Sequence, residues 1–199
     1  MGTSTHHPPG PDTPAARVAE AMRVIDRADF LPEGVRDQAD QDHPLPLADG
    51  STNSQPSTVR RMLEALQVRP GDRALDVGSG SGWTCALLGH LTGPGGTVLG
   101  LDLTDYLISF ARAALANYDL PWVRVELAEP GVLGRPQEAW DRILVSADGG
   151  TVPAQLTGQL VDGGRMVIPA AGRMAVVTRE GTDIRTDYLP GRWAFVKLR

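Results

Sequence analysis

The chain has 199 residues, of which 41% are hydrophobic and 22% charged, with a formal net charge of −5. That length suits one ordinary globular domain and leaves too little for a second. A single lysine, Lys197, and the negative balance leave no basic stripe for a phosphate backbone, so nucleic acid is not an expected partner.

Taken in chain order, "MGTSTHHPPGPDTP" lacks the apolar stretch of a signal peptide and reads as a disordered tail over residues 1 to 14, where His6 and His7 carry no expected role. Nowhere does the sequence approach the roughly 18 consecutive apolar residues of a membrane span. A cytoplasmic protein is therefore expected, folded as one domain over residues 15 to 199. The run "AARVAEAMRVIDRA" repeats apolar residues at helical spacing and ends before "DFLPEG", which predicts an opening helix packed on something larger.

Next comes the proline-punctuated "DHPLPLADG", followed by "STNSQP" and then "STVRRMLEALQV". In the last of these, Val59, Met62, Leu63 and Leu66 repeat at helical spacing. An ordered loop feeding a helix is expected here, with Ser57 or Ser54 as N-cap. By themselves these small polar residues suit any turn or cap.

From Arg73 onward, short β-type runs ("RALDV", "TVLGL", "WVRVEL", "DRILVSA", "GRMVIPA") alternate with helical segments ("GWTCALLGHL", "TDYLISFARAALANY", "VPAQLTGQL"). Such alternation predicts a mostly parallel α/β sheet, doubly wound with helices on both faces. The end, "GRMAVVTREGTDIRTDYLPGRWAFVKL", reads as consecutive strands joined by "REGTD" and "LPGR", which adds antiparallel strands. Cys85 has no partner for a disulfide and reads as a small buried hydrophobe. His43 and His90 read as structural, and no spaced Cys and His set suggests a metal site.

In sheets of this kind, ligands bind beyond the carboxyl ends of the strands, and the first strand-to-helix loop carries contacts. Here that loop is "DVGSGSGWT". Asp76 ends its strand, and Gly78, Ser79, Gly80 and Gly82 form a turn whose backbone can approach a ligand. A dinucleotide fingerprint would need glycine where Trp83 stands, which counts against NAD. Asp102, ending the second strand in "VLGLD", can accept hydrogen bonds from two ribose hydroxyls, and Leu103 follows it as an expected neighbour of an adenine. The competing view is that the two acids only cap the helices after them.

The acid-Val-Gly-x-Gly-x-Gly loop resembles motif I of class I S-adenosylmethionine-dependent methyltransferases. Together "AMRVIDRADFLP", "DHPLPLADGSTNSQP", motif I and "WDRILVSADGGTVPAQLTGQLVDGGRMVIP" resemble the protein-L-isoaspartate O-methyltransferases over roughly residues 15 to 198. The resemblance implies a Rossmann-like fold, S-adenosyl-L-methionine as cofactor, and methyl transfer to the α-carboxylate of L-isoaspartyl residues in damaged proteins or peptides. The ester then collapses to a succinimide, whose hydrolysis restores some normal aspartyl peptide. It also implies that Ser54 is the active-site residue, with Thr52, Asn53 and Gln55 beside it toward the substrate.

Where the family usually reads T-I-S-Q-P, Asn53 replaces the apolar residue. At the family's adenine-contacting G-D-G stand Glu129, Pro130 and Gly131, with Glu129 the candidate replacement for the aspartate. The family's closing F-V-P-L is here "FVKL", with Lys197 in place of proline, and Asp40 stands where an aromatic usually precedes D-x-P-L-P. These departures keep open a dedicated substrate, such as a peptide natural-product precursor. A nonenzymatic cofactor-binding module and an NAD-dependent reductase are the alternatives of other classes. Nothing suggests an interface, so a monomer is the default.

Overall fold

The protein is described by a computed structural model over residues 12–48 and 50–198. The predicted tail over residues 1 to 14 falls mostly outside this range. Its last part is not tail, because helix α1 runs Pro14–Val24 and the Thr13 side chain accepts the Ala16 N–H as its N-cap. Two short 3-10 turns, Arg27–Phe30 and Glu33–Gln38, carry the chain from α1 toward the loops above the sheet.

A two-residue hairpin of β1 (Leu45–Pro46) and β2 (Thr52–Asn53) precedes α2 (Pro56–Leu66). The predicted caps Ser54 and Ser57 do not cap α2. Gln55 holds the N-cap position without a side-chain capping bond, Pro56 opens the helix, and Asp42 from the preceding loop accepts the Ser57 N–H at 2.8 Å. Proline at the first helical position needs no partner for its missing N–H, so the remaining free donors can be met from outside.

The main sheet comprises β3 (Arg73–Val77), β4 (Thr97–Asp102), β5 (Val123–Leu127), β6 (Trp140–Val145), β7 (Leu160–Ala170), β8 (Arg173–Glu180) and β9 (Asp183–Leu189). Its order is β5-β4-β3-β6-β7-β8-β9, parallel from β5 through β7 and antiparallel at β8 and β9. Helices α3 (Trp83–Thr92) and α4 (Asp105–Leu115) make the crossovers β3 to β4 and β4 to β5. The strand order reverses at β3, where the chain leaves for β4 on one side and returns to β6 on the other.

Alternate strand residues divide two cores, as strands buried on both faces require. Ala74, Val98, Leu144 and Val167 pack under α1, α2, α3 and α4, while Leu75, Leu99, Ile143 and Met166 face the other way. That second face is covered more thinly, by the one-turn α5 (Ala154–Thr157) with Leu156, and by Leu133 and Val152 from loops. The helix expected over "VPAQLTGQL" is this short because Pro153 precedes it and Gly158 follows it. After β9 no further strand forms among the described residues. The segment after "LPGR" instead crosses above the carboxyl ends of the strands and makes an isolated bridge, Asp148 with Lys197.

Candidate active site

A cavity of about 400 Å3 lies at the carboxyl ends of β3, β4 and β6. Clefts of a few hundred cubic ångströms at the switch point of an open α/β sheet are where such folds bind small ligands. Its floor includes Val77, Gly78, Gly80, Asp102 and Leu103; one wall includes Thr52, Ser54 and Gln55; another is the terminal run Ala194–Leu198. Two stretches far apart in the chain, the S-Q-P loop and the glycine loop, thus meet at one opening.

Each side chain is placed by an identifiable local cause. Gly78 and Gly80 have φ of 78° and 55°, conformations that side-chain-bearing residues seldom adopt, and both present bare backbone to the cavity. Gly82, at φ 89°, does not line the cavity; an added Cβ there would stand 3.0 Å from Ala111 Cβ, so its glycine serves the packing of α3 against α4. Asp102 Oδ2 accepts the Gly80 N–H at 2.9 Å and Oδ1 accepts the Thr104 N–H at 3.2 Å. Neither bond reaches an N–H of α4, whose N-cap is Thr104, so Asp102 braces two loops and does not cap the helix. Its carboxylate lines the cavity and keeps lone pairs for a diol. Leu103 is 39% exposed beside it, an apolar surface suited to a flat ring.

Asp76 and Ser79 are expected from sequence among the cofactor contacts, but neither lines the main cavity. Asp76 is fully buried beneath the glycine loop, where Thr84 Oγ1 and, at 3.3 Å, Cys85 Sγ donate to its Oδ2. Burial pushes its carboxyl up to about 6, against those two hydrogen bonds. The same burial, with the Asp76 charge, drives the Cys85 thiol well above its ordinary value, which makes it an inert core residue. Asp76 Oδ1 and Ser79 Oγ are buried without a partner among the described residues. Such orphaned atoms under a bare-backbone loop fit a site built to receive a polar ligand.

On the substrate side, Thr52, Ser54 and Gln55 line the cavity as expected, and Gln55 donates to Asp42 and Ser57. Asn53 does not line it. Buried to 4% exposure, its side chain turns inward to Arg27 and Ser81. Glu129 is exposed and also outside the cavity wall; Ala128, Val132, Leu133 and Gly134 of the same loop line it instead. The inward position in this loop belongs to its neighbour Ala128, and the Glu129 side chain stays in solvent.

Several contributors carry no motif that sequence reasoning could have used. Ser146 and Ala147 follow β6, and Phe195 and Val196 arrive from the terminus. Their only signal is position, at a strand end and in a family-like closing run. Lys197 supplies the one cation among the described lining residues, and its ammonium donates to Asp148 Oδ2 at 2.6 Å. No group of three or more His, Cys, Asp or Glu residues among those described could hold a metal.

The family model for Protein-L-isoaspartate(D-aspartate) O-methyltransferase matches residues 13–189. The chain belongs to this family. A protein-L-isoaspartate O-methyltransferase of Methanopyrus kandleri is 45% identical over 160 residues, covering 79% of this chain and 70% of the relative. One from Roseiflexus sp. is 40% identical over 178 residues, covering 87% and 80%. Among solved structures, a protein-L-isoaspartate O-methyltransferase superposes with TM-score 0.82 at 22% identity, over 92% of this chain but 61% of that one. A Plasmodium falciparum structure of the same description, in complex with S-adenosyl-L-homocysteine, gives TM-score 0.77 at 22% identity, over 92% and 90%. At that identity the two structures speak to the fold: the sheet with its antiparallel end is the architecture of these methyltransferases.

Proposed function

We propose that the protein transfers a methyl group from S-adenosyl-L-methionine to the α-carboxylate of L-isoaspartyl residues in damaged proteins or peptides. One observation carries the reading. Ser54 of the S-Q-P loop faces the same cavity as the glycine loop and Asp102, so an acceptor at the serine would lie beside a donor seated on β3 and β4.

The bound cofactor supplies an electrophilic methyl on sulfur. Gly78 and Gly80 would pass close to it, Asp102 would accept from its ribose hydroxyls, and Leu103 would cover one face of its base. Asp76 and Ser79 would act indirectly, by supporting the glycine loop from below. An isoaspartyl α-carboxylate, with an ordinary pKa of about 3.5, is already ionised at neutral pH and needs no general base. What the chain must supply is alignment. Among the described residues no protein group engages the Ser54 hydroxyl, which is thus available to donate to one carboxylate oxygen while the other attacks.

A monomer is the working proposal, with the chain from helix α1 onward as one catalytic domain. Among the described residues no helix is long and apolar enough to cross a membrane. Damaged proteins and the methyl donor must share a compartment with the enzyme, which fits the cytoplasm.

The test is transfer from labelled S-adenosyl-L-methionine to two synthetic peptides that differ only in one aspartyl or isoaspartyl linkage. Labelling confined to the isoaspartyl peptide is expected. Binding of the cofactor without labelling of either peptide would overturn the substrate assignment.

A further inference from the structure

Arg27 is buried to 5% exposure and touches no carboxylate among the described residues. Its guanidinium spends its donors on neutral oxygens: Nε on Asn53 Oδ1 at 2.8 Å, Nη1 on the carbonyls of Ala39 and Gln41, and Nη2 on those of His43, Asn53 and Ser54. Burial pulls its pKa below the ordinary arginine value, with the Asp42 charge opposing. The Trp83 ring lies 5.6 Å from the guanidinium carbon. One rigid fork therefore gathers Ala39, Gln41, His43 and Asn53 and holds the Ser54 carbonyl directly, at 3.1 Å.

Asn53 completes this arrangement. A guanidinium can only donate, so the amide oxygen must face Arg27 and the amide nitrogen must face away. That nitrogen donates to Ser81 Oγ at 3.2 Å, and Ser81 belongs to the glycine loop. The residue between Thr52 and Ser54 thus ties the loop carrying the serine to the loop facing the cofactor. An apolar side chain at this position would leave the Arg27 Nε–H without this acceptor and cut the tie to Ser81.

We propose that Asn53 is a positioning residue that keeps Ser54 in register with the glycine loop, acting through Arg27 on one side and Ser81 on the other. The proposal rests on the reading of Ser54 as the residue that orients the substrate carboxylate. It replaces the expectation that Asn53 touches the substrate.

The experiment compares wild type with Asn53→Leu and Asn53→Asp, each checked for folding by circular dichroism. Leucine removes both bonds at similar volume. Aspartate keeps the acceptor for Arg27, and the Ser81 hydroxyl can rotate to donate to it. With the isoaspartyl peptide, Asn53→Leu is expected to lower kcat about tenfold, the scale of one hydrogen bond to a charged group, with cofactor affinity within twofold. Asn53→Asp is expected to recover most of the loss. Wild-type kcat in the leucine variant, or equal loss in both variants, would overturn the proposal.

A second readout does not depend on turnover. Amide hydrogen exchange over residues 51 to 57, with S-adenosyl-L-homocysteine present, should quicken in Asn53→Leu and return toward wild type in Asn53→Asp. Unchanged exchange in the leucine variant would refute the positioning role. Should the wild type label no isoaspartyl peptide, the functional reading fails while the exchange result still decides this one.

Discussion

Lys197 Nζ donates to Asp148 Oδ2 at 2.6 Å, and this ion pair joins the terminal segment to the loop after β6 at the rim of the cleft. Two backbone bonds, Asp148 N–H to Val196 and Leu198 N–H to Asp148, run beside it. The lysine side chain is 73% exposed, so the pair adds little to stability. Its consequence is electrostatic: the single lysine of the chain faces the cavity with its charge already balanced.

Freeing that ammonium should change catalysis more than folding. In Asp148→Asn, Oδ1 can still accept the N–H groups of Gly150 and Ala171, while the partner of Lys197 is gone. An unbalanced cation near the acceptor would hold the substrate carboxylate and compete with its attack on the methyl group. Steady-state kinetics with the isoaspartyl peptide should show KM and kcat both lowered, by roughly threefold to tenfold, the scale of one partly exposed charge pair. The effect should shrink as salt is raised; a KM that rises instead would contradict it.

Removing the Ser54 hydroxyl should cost rate and spare the cofactor. Ser54→Ala is expected to slow methyl transfer by roughly one to three decades, the scale of one stabilising hydrogen bond at a reacting group. Calorimetric affinity for S-adenosyl-L-homocysteine should stay near wild type. Loss of that binding would show that the serine serves the cofactor loop and not the acceptor.

Asp102→Ala should do the reverse. The variant loses the acceptor for the Gly80 and Thr104 N–H groups as well as the carboxylate proposed for the ribose. Cofactor dissociation constants should rise about tenfold to a hundredfold, as for a lost hydrogen bond to a charged group, while kcat at saturating cofactor changes less. An unchanged dissociation constant would remove Asp102 from the site.

Asp76 gives the pH dependence of stability a specific sign. Its folded-state carboxyl is raised from 3.8 to about 6, chiefly by desolvation. The folded protein therefore keeps a proton that the unfolded chain releases. The contribution of this group is fully present below pH about 4, declines through pH 4 to 6 and is lost above, by about 3 kcal/mol in all. The Asp76→Asn variant has no carboxyl to titrate at this position. Melting temperatures of the two proteins, measured from pH 4 to 8, should diverge in favour of the variant as pH rises; parallel curves would contradict the burial argument.

Much of the fold is legible in the residues. Alternation of short β runs with helical segments gives the parallel order, and the strand pattern after Gly172 gives the antiparallel end, because side-chain periodicity is a local property. The glycine loop and Asp102 are likewise readable as a turn and a strand-ending acid, since each is a residue type at a spacing that backbone geometry demands. Ser54, by contrast, is singled out only by the family resemblance of its S-Q-P segment. Asn53 escapes such reading, because neighbourhood in sequence is not neighbourhood in the cleft. Along a strand successive side chains point to opposite faces, and between Thr52 and Ser54 the asparagine turns inward.

By itself, then, the sequence determined the α/β class and the glycine loop, which follow from short-range patterns, and it pointed to the serine loop through a family resemblance. Only tertiary structure decided that Asp76 is sealed beneath its loop, that Glu129 faces solvent, that Arg27 gathers the serine loop, and that Lys197 is neutralised at the rim. Each of these depends on which distant groups the fold brings together and on how much water it leaves around their charges. That is a property of packing, and no local spacing encodes it.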